Sequence, residues 1–286
     1  MAGTTPSCRF CLLGWGPSFC WGEPARAREI CPMLSFCLHS VFHAYGWRFF
    51  WHVALPHPLS TLRALASVRR LDDTGERMDV PSPTFEGVPS LVGVGFCLKP
   101  LACPSGRFNH DCRCLEALQP SCSFPACCRI CDVRLLGEAA LEAGAAFTIM
   151  TSARDILYDV LLPALKGKRF PTGLFLLCRY SFLPFAFGML VSGIRGRLLP
   201  FESGDCRDYR TWHRADVGIK DEQTRVSDPV RQMIQGFGAT ASGTPLSVGA
   251  EQTGGVFYPV PARSVRQVGK AIRLSGNALT ASSPSA

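Results

Sequence analysis

Between Gly173 and Ile194 the chain runs for 22 residues with a single charge, Arg179. A helix of that length measures roughly 33 Å at 1.5 Å per residue, enough to cross a bilayer core of about 30 Å. Lys166, Lys168 and Arg169 precede the run, and Arg195 and Arg197 follow it. Its Leu, Phe, Val and Ile side chains each favour insertion by about 0.3 to 0.6 kcal/mol, against about 2.5 to 3.5 kcal/mol for a central arginine. Arg179 stands near one end, from where a long side chain snorkels to the interface, and a membrane helix tolerates the kink at Pro184. The balance predicts a membrane helix over about 173–193. The competing solution is a buried soluble helix, or a helix-turn-helix broken at Pro184.

Upstream, Glu138 to Met150 is rich in alanine, and Ser152 to Asp155 has the form of a capping box ahead of Ile156, Leu157, Val160 and Leu161. That pattern predicts a second helix over about 138–163, ended by Pro163 and Gly167. Residues 33–55 form another apolar region, with Trp47, Trp51 and Tyr45 suited to a membrane interface. His39 and His43, four apart, would share a helical face but lack a third metal ligand. Residues 10–22 make a weak apolar run interrupted by Gly14, Gly16 and Pro17, a poor signal peptide.

Elsewhere the pattern is broken. Twenty-two prolines and 27 glycines cut the chain into short pieces, and 25 arginines against 5 lysines give a formal charge of +8. The arginines form no basic stripe interleaved with aromatics, so nucleic acid is not an expected partner. Val92 to Leu98, with two glycines, reads as a poor edge strand. Only Asp228 to Gln235, with Pro229 at its first turn, and Val256 to Val260 look ordered in a polar, largely disordered tail over 196–286. The fold expected is mainly α with extensive disorder: one or two membrane helices in 136–195, an irregular Cys- and Pro-rich region over 1–135, and no well-defined globular fold.

Eight cysteines crowd between Cys97 and Cys131. Cys112, Cys114, Cys128 and Cys131 approach the two-pair spacing of a zinc site, although the first pair has one intervening residue where zinc knuckles use two to four. Disulfides and free thiols are the alternatives. No Ser/His/Asp or Cys/His set, phosphate-binding glycine loop or paired carboxylates in an apolar setting stands out, so neither enzymatic activity nor a cofactor is expected.

Tyr158-Asp159 followed by Leu161-Leu162, the basic loop Lys166 to Arg169, and Leu174-Phe175 leading to Arg179-Tyr180 together resemble an uncharacterised family of fungal, mainly basidiomycete, multi-pass membrane proteins. The resemblance covers about 40 residues. It implies that a Tyr-Asp pair closes one membrane helix, that Leu-Phe and Arg-Tyr open the next, and that the protein sits in a membrane among other helices. Tyr158, Asp159, Arg179 and Tyr180 then carry the family motif, with Asp159 paired to Arg179. Since that family continues with further membrane helices, the chain is expected to be a fragment or misassembled product of such a gene. The alternatives are a soluble Cys-rich zinc-binding module and a translated product with no selected function.

Overall fold

The computed structural model describes residues 42–261 except 69, 72–73, 75, 81–86, 117–124, 168, 207 and 240–246. The signal-peptide region, Cys8, Cys11, His39, Cys122 and the tail after 261 lie outside the described residues. His43 belongs to a described helix, but its side chain is not described.

In chain order the elements are α1 (Phe42–Phe49, continued by a π turn Phe50–Ala54), α2 (Pro58–Val68), β1 (Met78–Val80), β2 (Leu91–Gly95), a 3-10 turn Phe96–Leu98, α3 (Arg113–Glu116), α4 (Ala126–Arg129) and α5 (Asp132–Glu142). Then come β3 (Ala146–Met150), α6 (Ala153–Ile156), a π turn Leu157–Leu161, α7 (Leu162–Gly167), β4 (Thr172–Leu177), a 3-10 turn Arg179–Ser181, α8 (Phe182–Ser192) and β5 (Arg195–Pro200). α9 (Tyr209–Asp216), α10 (Asp228–Ala239), β6 (Ser247–Thr253) and β7 (Val256–Pro261) complete the fold.

The strands form one sheet in the order β1-β5-β4-β2-β3-β7-β6. β2, β3, β4 and β5 are parallel, with Leu91 opposite Ala146 on one side and opposite Gly173 on the other. β1 adds antiparallel to β5, and the β6-β7 hairpin adds antiparallel to β3. A parallel sheet must be covered on both faces, and alternate side chains divide accordingly. Leu91, Phe175, Leu177 and Leu198 pack under α1, α2 and α6 to α8. Val92, Val94, Leu174, Leu176 and Leu199 pack under α5 and α10.

This architecture overturns the mainly helical, disordered fold and the membrane location expected above. Among the described residues no helix is long and apolar enough to cross a membrane. The 22-residue run is three elements. Thr172–Leu177 is a central strand buried on both faces, Arg179–Ser181 turns the chain, and the 11-residue α8 is buried nearly all round. A strand paired on both edges and a helix enclosed on all sides both lose the polar face that would betray their period, so together they imitate a lipid-facing helix. Pro184 sits in the first turn of α8, where its missing N–H has no intrahelical partner to serve. Gly193 ends the helix in the left-handed region at φ 79.

The helix expected over 138–163 is likewise a helix, a strand and a second helix. Ala-rich α5 stops at Glu142 and β3 occupies Ala146–Met150. The Ser152 cap is present, its hydroxyl accepting from the Asp155 N–H at 3.2 Å. Nor is β2 an edge. Its Gly93, like Gly173 of β4, leaves room for the Phe175 ring, since a Cβ at Gly93 would stand 2.5 Å from Phe175 Cδ1. The tail expected from 196 onward to be ordered only over 228–235 and 256–260 instead holds, up to 261, most of β5, all of β6 and β7, and the helices α9 and α10.

Candidate functional site

β2 sends its chain to β3 across the face covered by α5, whereas β3 returns to β4, and β4 proceeds to β5, across the opposite face. The connections therefore diverge between β2 and β4, and a crevice opens beyond their C-terminal ends, where ligands of doubly wound sheets bind. A cavity of about 700 Å³, counting the solvent at its mouth, lies there. Phe96, Met150, Ile156, Phe185, Phe201 and Trp212 give it apolar walls.

Its polar groups form a connected chain. Trp212 Nε1–H donates to Ser181 Oγ at 2.9 Å, and the Ser181 hydroxyl lies 2.9 Å from Cys178 Sγ. Cys178 and Cys206 face each other in the cavity wall, and their interaction holds the Cys178 thiol well above its ordinary range and lowers that of Cys206. Lys220 Nζ reaches Cys206 Sγ at 3.7 Å and lowers it further. The Cys178 side chain and the Lys220 ammonium both favour the anion at Cys206. The Asp205 carboxylate opposes this. Its side chain accepts from the backbone N–H of Arg179 at 3.3 Å and of Cys206 at 3.0 Å, and burial raises its pKa.

Cys97 follows β2 into the same cavity, and burial pushes its thiol up to about 11. Asp216, at the end of α9, is the cavity's carboxyl group. It accepts from the Ala153 N–H at 2.8 Å, and burial raises its pKa as well.

The four residues that carry the resemblance fall in two places. Arg179 and Tyr180 lie between Cys178 and Ser181, which line the cavity: the Arg179 backbone binds Asp205, and the Tyr180 ring packs 5.8 Å from Trp212. Tyr158 and Asp159 lie on the π turn after α6. Tyr158 meets His52 edge-on at 5.9 Å. Asp159 Oδ2 lies 3.8 Å from His110 Nε2, and no ion pair among the described residues joins Asp159 to Arg179. His110 Nδ1 lies 2.8 Å from the Ile149 carbonyl and its Nε2 3.8 Å from Asp155, so this imidazole fastens the loop before α3 to β3 and α6.

Cys112, Cys114, Cys128 and Cys131 are all buried against the α5 face of the sheet. Among the described residues no group of three or more His, Cys, Asp or Glu is arranged to hold a metal ion. The thiol pair of the cavity went unseen in the sequence because Cys178, Cys206 and Lys220 share no motif spacing. Only the rule that loops after parallel strands carry function points toward them. No protein-family model, curated protein or solved structure matches this chain.

Proposed function

We propose that this chain binds a small, largely apolar electrophile in the crevice beyond β2 and β4 and attacks it with the Cys206 thiolate. The observation carrying this reading is the connected chain of polar groups from Trp212 through Ser181 and Cys178 to Cys206, closed from the other side by Lys220. A sulfur stabilised as an anion inside an apolar cavity is desolvated, and a desolvated thiolate is a stronger nucleophile than a hydrated one. The step is acyl or alkyl transfer: a carbon–sulfur bond forms at Cys206 and the leaving group departs with its electron pair. Asp216, whose buried carboxyl keeps its proton to higher pH, supplies a proton to that group. This reading departs from the non-enzymatic expectation because the groups that support it converge only in three dimensions.

Alkylation by iodoacetamide, followed site by site across pH with peptide mass spectrometry, tests it. Cys206 should label at lower pH than an ordinary thiol. Cys178→Ala and Lys220→Met should each move its profile upward, with roughly tenfold slower labelling at neutral pH for a lost hydrogen bond of about 1.5 kcal/mol. A Cys206 that labels as an ordinary thiol, indifferent to both substitutions, would sink the proposal.

A further inference from the structure

Helix α1 and its π turn are apolar on two sides. Tyr45, Phe49 and Val53 are buried, with the Phe49 ring 5.5 Å from that of Phe187 on α8 and the Tyr45 hydroxyl donating to the Pro184 carbonyl at 3.0 Å. Trp47, Phe50, Trp51 and Leu55 take the outer side, and α2, which follows through the exposed turn at Leu55 and Pro56, adds Leu59 and Leu62. These six side chains are between 41% and 67% exposed. The Phe50 ring meets both tryptophans edge-on, 5.8 Å from Trp47 and 5.5 Å from Trp51. A helix apolar all round calls for an apolar medium on both sides, and an exposed patch of this kind marks a contact surface.

The charge of this surface has one sign. From Phe42 to Leu71 the chain carries Arg48, Arg63, Arg69 and Arg70 and neither aspartate nor glutamate. Arg48 follows Trp47 and Arg63 follows Leu62, and both arginines are exposed, as is Arg70. A second copy meeting this face across a two-fold axis would set arginine against arginine. Tryptophan and arginine side by side on the outer face of a helix instead match the headgroup layer of a bilayer, where an indole is half in water and a guanidinium finds phosphate.

We propose that the outer face of α1 and α2 docks on an anionic lipid surface, its aromatic and leucine side chains entering the headgroup layer while Arg48, Arg63 and Arg70 pair with lipid phosphates. The membrane helix overturned above would have crossed the bilayer. This contact engages one leaflet and needs no spanning segment. It stands apart from the thiol chemistry, although Tyr45 on the inner side of α1 also lines the crevice, which sets that crevice one helix behind the docking face.

Flotation of the full chain with vesicles tests this. It should rise with phosphatidylcholine vesicles that contain phosphatidylserine and not with phosphatidylcholine alone, and less as salt is added. Arg48→Gln with Arg63→Gln should weaken binding about 25-fold, at roughly fivefold for each arginine near a charged surface. Trp47→Ser with Trp51→Ser should abolish flotation while far-UV circular dichroism stays that of wild type, and where that variant fails to fold the arginine variant decides. A wild-type chain that does not float, or floats equally with neutral vesicles, overturns the proposal, as does a folded variant of either kind that floats like wild type. A wild-type dimer that the tryptophan variant makes monomeric, and that ignores both vesicles, overturns it in favour of a second copy.

Discussion

Asp216 ties α9 to the start of α6, its carboxyl accepting from the Ala153 N–H at 2.8 Å. In sequence it is one acid in a mixed polar stretch, and nothing around it announces burial. In the fold it closes α9, accepts from the Ala153 N–H and loses enough water that its pKa rises. A carboxyl whose folded pKa lies above its unfolded value adds stability below the unfolded pKa and loses that contribution as pH climbs through the folded one. Asp216→Asn keeps an acceptor for Ala153 and should therefore make the chain more stable than wild type in neutral buffer. The advantage should vanish in acid below the ordinary carboxylate range. Urea denaturation of both proteins at the two pH values measures the difference, and an equal gain at both would contradict it. Cys206 was equally hidden, since its lowered pKa depends on Cys178 and Lys220, which lie 28 and 14 residues away in the chain.

Among the elements, those whose signals are local were legible. The Ser152 cap, the helix opening at Asp228-Pro229 and the strand at Val256 each follow from a few adjacent residues. β4 and α8 were not, because burial on every side erases the alternation that separates a strand from a helix. Their packing makes sharp tests. The Cα atoms of Gly196 and Gly173 are register partners on β5 and β4, and a Cβ at Gly196 would overlap the Gly173 backbone. Gly196→Ala should cost on the order of 3 kcal/mol or more in chemical denaturation, because backbone cannot yield as a side chain does. On the opposite face, Arg231 of α10 holds the buried Asp132 of α5 through Nε and Nη2 at 3.0 and 2.9 Å, while the Val226 N–H binds the other oxygen. Arg231→Met should destabilise by about 2 to 4 kcal/mol, since it strands a carboxylate in the core. A loss below about 0.5 kcal/mol would place that pair among surface contacts of little energetic worth.

At the scale of the molecule, hydropathy registers burial, and burial alone does not say whether lipid or protein supplies it. Far-UV circular dichroism of the purified chain should show mixed helix and sheet rather than the spectrum of isolated helices in a disordered polymer. The order of assembly matters as well. β3 is complete at Met150, but among the described residues its outer edge is covered by β7 alone, with Phe147 opposite Phe257 and Thr148 opposite Val256. The Thr148 hydroxyl also donates to the Gly255 carbonyl at 2.8 Å. About a hundred residues must therefore be synthesised while five apolar-flanked positions, Ala146 to Met150, present unsatisfied backbone groups along an open margin. A chain ending at residue 240 should self-associate through that margin into thioflavin-binding aggregates, and an excess of a 247–261 peptide should return it to monomer. The β6-β7 hairpin is in this sense a stopper: it closes the margin of β3 that would otherwise recruit the next copy of the chain.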